Sequence, residues 1–230
     1  MQYPCIIRYL VFSFVHSPWF VDEKNCLVMK SQDIYLILKL VSLERQDAKR
    51  AYSNNVLVQT LWEDEDPEEL QPELESDFYS LRALSSFTGI SKSEVSNIIK
   101  RSEFSGLCLR DYHNNRPKVN KKALLEFLVY GIRYVFPVRP AEMVRGIPTA
   151  FFAPMLQSKL MSAGEDVWVW QDGYGKTKGL SIKPLHASVP KGAKIDTNLY
   201  ELMALVDALR LGRAREVAIA TELLKERFGL

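Results

Sequence analysis

A mainly α-helical chain with a small β component is the fold class this sequence predicts, and three observations predict it. Apolar residues recur at three- and four-residue spacing through most of the chain, as in Ile34, Ile37, Leu38 and Val41 or Leu199, Leu202, Met203, Val206 and Leu209. A serine, asparagine or aspartate stands where each such stretch begins, at Ser31, Ser80, Ser91, Asn120 and Asp196, supplying the side-chain acceptor that a helix start needs. Strand-like composition is confined to short pieces near 107–120 and 167–183.

Residues 1–28 are atypical. The apolar run Tyr9–Val15 is too short to span a bilayer and is bracketed by Arg8 and His16, and no signal-peptide pattern is evident. Met29 opens a segment that reads as an ordinary cytosolic start, so 1–28 is expected to be upstream translation or a loosely attached arm, the competing expectation being an added helix or strand that packs on a dimer face. Ser31 caps a helix expected to run to about Leu43. A long connection, 46–76, follows, in which Val56–Leu61 adds a strand or a helical turn. Residues 63–77 hold nine acids and no base, with Pro67 and Pro72, and are expected to form a solvated loop. A sharper alternative is a DNA-mimicking segment that covers a basic face.

Ser80 caps a short helix that Gly89 ends, because glycine accepts the positive φ of a C-terminal cap. Ser91 and Glu94 form a capping-box pattern at the head of the next helix, 91–105. Its apolar stripe is Val95, Ile98 and Ile99, continued by Phe104, which leaves Lys92, Ser93, Ser96, Asn97, Lys100 and Arg101 on other faces. A two-stranded basic ribbon follows at 107–120, turning at His113-Asn114-Asn115. Between Ser91 and Lys122 eight Lys/Arg face three Asp/Glu, a local excess hidden by the formal net charge of +2. A capped helix with donors and cations on its outer face suits a DNA major groove.

The spacing of Ser85, Gly89, Val95 and Ile98, followed by Gly106–Arg110 and Pro117–Asn120, resembles the winged helix-turn-helix pattern of transcriptional regulators, loosely of the MarR type. The resemblance covers about 40 residues, or nearer 100 with flanking helices. It implies a winged helix-turn-helix domain over 29–136, with an acidic insertion at 46–76, and a C-terminal α+β extension over 137–230. It also implies a cytoplasmic, homodimeric regulator of double-stranded DNA, in its simplest form a repressor, with no cofactor and no metal. Lys92, Ser93, Ser96, Asn97, Lys100 and Arg101 would then read the groove, and Arg110, Arg116 and Lys118 would grip the backbone. One departure is that no arginine starts the reading helix, which weakens the expectation of strong guanine contacts. The competing expectation is a protein-interaction or antitoxin-like module whose 137–230 region holds a protein partner.

Beyond Asn120, residues 121–136 are apolar on nearly every side and read as one helix buried from more than one direction, in a core and a subunit interface. Six of the eleven prolines fall in 137–195, where helix is repeatedly interrupted. Val167–Trp170, a turn at Asp172-Gly173 and Gly179–Lys183 read as a β-hairpin. Helices over 197–211, capped by Asp196 or Thr197, and 213–228 complete the chain.

Catalysis is not expected. Gly173–Thr177 resembles part of a phosphate loop, but Trp170 stands where the first glycine belongs. Cys5, Cys26 and Cys108, and His16, His113 and His186, are scattered without metal-ligand spacing. Glu142 and Asp166 are single carboxylates without a partner acid. Phe151, Phe152, Trp168, Trp170 and Tyr174 are expected to form the core of a small β unit or, alternatively, an effector pocket or partner-binding surface, with Arg145, Lys159, Lys176, Lys178 and Lys183 nearby to touch DNA or an anionic ligand.

Overall fold

A computed structural model of the chain describes residues 28–61, 77–156 and 167–230, and the side chains of all of these but 51–61. The arm 1–27, the acidic tract 62–76, Lys159 and Asp166 lie outside the described residues. The described residues are mainly helical with two small sheets. Helix α1 spans Ser31–Leu61, well past the expected end near Leu43 and through much of the expected connection. The reason is local: 44–61 contain no glycine or proline to stop it. Helix α2 (Leu81–Thr88) ends at Gly89, whose φ is 69°. Helix α3 (Lys92–Phe104) begins at Ser91, whose hydroxyl accepts from the Glu94 N–H. Strands β1 (Cys108–Arg110) and β2 (Pro117–Val119) pair antiparallel as the expected ribbon.

Asn120 caps helix α4 (Lys121–Tyr130), but the expected single helix over 121–136 breaks at Gly131 into α4 and α5 (Ile132–Val135). Leu124, Leu125, Leu128 and Ile132 are buried, whereas Tyr130 and Tyr134 remain 76% and 78% exposed beside exposed Val135.

Strands β3 (Met143–Pro148), β4 (Trp168–Gln171) and β5 (Thr177–Ser181) form a closed three-stranded unit. The expected hairpin is not one. β4 and β5 run parallel, each antiparallel to β3, so Gly146 pairs with Gln171 on one side and Thr177 on the other. Closure this tight requires glycine: a Cβ on Gly146 would stand 2.0 Å from the Trp170 carbonyl oxygen, and one on Gly175 2.4 Å from Gly146. Phe151 and Trp170 are buried in the core that this unit shares with α7, with Trp168 packed on Phe151 and Phe152.

Helices α6 (Val189–Ile195), α7 (Thr197–Leu211) and α8 (Ala214–Phe228) complete the fold. Asp196 is the cap of α7, accepting from the Leu199 N–H. Every residue from Glu201 to Arg210 is buried, so α7 is the spindle on which α1, α4, α5, α6 and α8 pack. Its charges are all matched. Asp207 accepts from Thr149 Oγ1 at 2.9 Å, Trp170 Nε1 at 2.6 Å and Arg210 Nη1 at 2.7 Å. Burial pushes this carboxyl above its ordinary range, against the pull of those three donors. Glu201 takes a two-bond grip from Arg227, and Asp196 is held by Lys39 and Ser42, each at 2.7 Å. Among the described residues no helix is long and apolar enough to cross a membrane.

Candidate nucleic-acid interface

Helix α3 is two-faced by its own periodicity. Val95, Ile98, Ile99 and Ser102 are buried against α1, α2 and the chain leading to β1. At 3.6 residues per turn the opposite stripe is Ser93, Asn97, Lys100 and Phe104, and all four are exposed. Lys92 is exposed at the first turn, and Ser96 is half-buried on the flank. Lys92 and Lys100 make no ion pair with a described residue.

Phe104 corrects one expectation. It does not extend the apolar stripe but stands 66% exposed on the outer one. Its helical spacing carried the signal, since 104 lies half a turn out of phase with Val95, Ile98 and Ile99.

Arg101 corrects another. Its guanidinium faces inward and makes two bonds to Asp33, 2.9 Å from Nε and 2.7 Å from Nη2, and one to Glu94 at 2.8 Å. Asp33 is 1% exposed, so this fork satisfies a buried carboxylate and fastens α3 to the first turn of α1. Hydrogen bonding to Asp33 holds the Arg101 guanidinium above its already high ordinary value. Arg101, reinforced by Lys30 and Asn97, holds the Glu94 carboxyl below the usual range. Glu94 also accepts from Gln32 Nε2 at 2.6 Å, so its carboxylate serves the α1–α3 joint. Arg101 is therefore a positioning residue rather than a groove contact.

The ribbon stands at the C-terminal end of α3 and is anchored to α1. Glu44 accepts from the Val119 N–H at 3.0 Å and pairs with Lys121 at 3.2 Å. Lys118 is exposed and without an ion pair to a described residue. Arg110 is engaged by Glu103 and donates to the Asn115 carbonyl oxygen. Arg116 lies over the Tyr79 ring at 5.3 Å and 3.5 Å from Asp77. These two arginines are partly exposed groups with partners, whereas Lys118 makes no ion pair with a described residue. Asn115 takes φ 55°, which closes the turn and leaves Tyr112 96% exposed near its tip. Tyr112 was not anticipated from the sequence; an aromatic beside a polar turn gives no periodic signal.

Burial pushes the Cys108 thiol up to about 12, so it packs beneath the ribbon as an inert side chain. Gly173–Thr177, the partial phosphate-loop pattern, falls in the connection between β4 and β5 and ends on the first residue of β5. No protein-family model, curated protein or solved structure matches the chain.

Proposed function

We propose that this protein is a winged helix-turn-helix regulator of double-stranded DNA, reading the major groove with α3 and holding the backbone with the β1–β2 ribbon. The observation that carries the reading is the outer stripe of α3. Donors and an unpaired cation at Ser93, Asn97 and Lys100 sit back to back with the buried stripe, and a cationic ribbon rises at one end of the same helix. Asn97 suits the N6/N7 edge of adenine, and Lys92, Lys100 and Lys118 suit phosphates or guanine. Pairing through the exposed α4–α5 face, with Tyr130, Tyr134 and Val135, would present two such helices to successive major grooves, ~34 Å apart on a near-palindromic site. Occupying that site makes the protein a repressor in its simplest mode, acting in the cytoplasm.

Electrophoretic shift with a random-sequence duplex pool, at two salt concentrations, tests the proposal. Binding that weakens steeply with salt, and that falls in a Lys92→Ala/Lys100→Ala/Lys118→Ala variant, is the expected result. Equal affinity in the wild type and this variant would refute it. The same tyrosine-rich face favours the second reading, a protein-interaction module. That reading gains if the chain retains a protein partner and shows no DNA affinity.

A further inference from the structure

At the end of α3 away from the ribbon, the turn at Gly89 is closed by the start of α6: a Cβ on Gly89 would stand 2.7 Å from Ser188 Oγ. Helix α6 then runs seven residues, ~10 Å, towards the β unit. Its Lys194 Nζ lies 2.7 Å from Asp172 Oδ2 and 5.7 Å from the centre of the Tyr174 ring, both in the β4–β5 connection. α6 is thus a strut from the beginning of α3 to the β unit.

The outer face of that unit carries a charge arrangement that the described residues around it do not neutralise. Arg145 on β3 and Lys178 on β5 are direct cross-strand partners in antiparallel register, so both project from the same face. Both are exposed, and neither makes an ion pair with a described residue. Like charges placed directly opposite destabilise a sheet. Lys176, exposed just before β5, adds a third cation, and Lys191 on α6 is exposed on the strut. The described carboxylates of the unit are Glu142 and Asp172. Asp172 is occupied by Lys194 and by the Tyr174 N–H at 2.9 Å, and Glu142 precedes the far end of β3. Cations without an ion pair to a described residue, leading away from a helix proposed to read DNA, are what a continuing phosphate backbone neutralises.

We infer that Arg145, Lys176 and Lys178 form a second phosphate-binding surface, which grips double-stranded DNA flanking the site read by α3, on the side opposite the ribbon. This inference rests on the DNA-binding reading above. The α3 helix would then be flanked by a cationic element at each end, one local in sequence and one brought there by α6.

The test uses the full chain and a duplex selected by it from a random pool, prepared short (about 14 bp, the site alone) and long (about 40 bp, the site centred). Wild type should bind the long duplex more tightly and with a steeper salt dependence. Arg145→Ala/Lys176→Ala/Lys178→Ala should remove that advantage and lower the long-duplex salt slope by about two to three, at ~0.9 per phosphate contact, with base preference unchanged. A triple variant that keeps the wild-type slope and length dependence overturns the inference and leaves the α3 reading standing. A wild type that binds neither duplex ends both. Lys178→Glu supplies an independent arm, because it sets a carboxylate opposite Arg145. It should raise the melting temperature while weakening long-duplex binding, and unchanged long-duplex affinity in this variant also overturns the inference.

Discussion

Helices α3 and α7 both carry charged side chains, and they use them in opposite ways. On α7 Glu201, Asp207 and Arg210 are buried, and each is closed off by partners from other elements. On the outer stripe of α3 Lys100 is in solvent and makes no ion pair with a described residue, one residue away from Arg101, which is fully engaged. Paired charge builds the molecule; unpaired charge is left for something else to meet. A buried pair contributes little net stability over an apolar core, yet removing one member is costly because the other stays behind.

Asp207→Ala should break this contrast most severely. It leaves Arg210 without its carboxylate and Trp170 Nε1 and Thr149 Oγ1 without an acceptor, for a loss of about 3–5 kcal/mol measured by urea unfolding. Asp207→Asn, which can still accept from the two neutral donors, should lose less. Next comes Arg101→Ala, which strands buried Asp33 and unfastens α3 from α1, costing about 2–4 kcal/mol. An unfolding midpoint indistinguishable from wild type would return Arg101 to the list of groove contacts.

Lys100→Ala sharpens the comparison from the other side. Its stability should stay within about 0.5 kcal/mol of wild type, while the salt slope of DNA binding drops by about one. Asn97→Ala should relax base preference at one position by about 1–3 kcal/mol in a competition assay, with the salt slope intact.

The smallest expected effect is the pH dependence of His186. Its ring stacks on Tyr35 at 5.5 Å, its Nδ1 accepts from the Ser188 N–H, and burial holds its pKa below the ordinary 6.5. The unfolded chain therefore takes up the proton first. Its share of stability is complete above the unfolded value and is lost as pH falls through it towards the folded one. Asp196 adds a loss at lower pH. Burial pushes its carboxyl up, but Lys39, the Leu199 N–H and Ser42 together hold it below the ordinary range, so it too stabilises only while ionised. Thermal melts between about pH 8 and pH 5 should show a shallow decline that His186→Phe flattens.

Local signals made much of the fold legible. Ser80, Ser91, Asn120 and Gly89 cap helices where the sequence places them, because a cap depends on neighbours three or four residues away. Asp196 does so as one of two candidates, the Leu199 N–H deciding for it over Thr197. The buried stripe of α3 follows from spacing alone, and Phe104 departs from it because its position lies half a turn out of phase. What depends on distant residues was hidden. Arg101 turns inward because Asp33, 68 positions earlier, waits beneath it. β4 and β5 run parallel because both wrap around β3, which the short connection between them does not reveal. Helix α1 reaches Leu61, past its expected end near Leu43, because no glycine or proline interrupts 44–61.

Lys39 joins α1 to the cap of α7 from 157 residues away, and the apolar side of α1 rests on that same spindle. The portion proposed to read DNA therefore cannot be lifted out like a cassette. A fragment stopping at Phe136 would lay bare the aliphatic row from Ile34 to Leu43 and should come out of cells clumped. Any sensor or fusion engineered from this head has to inherit the chain at least through Leu211.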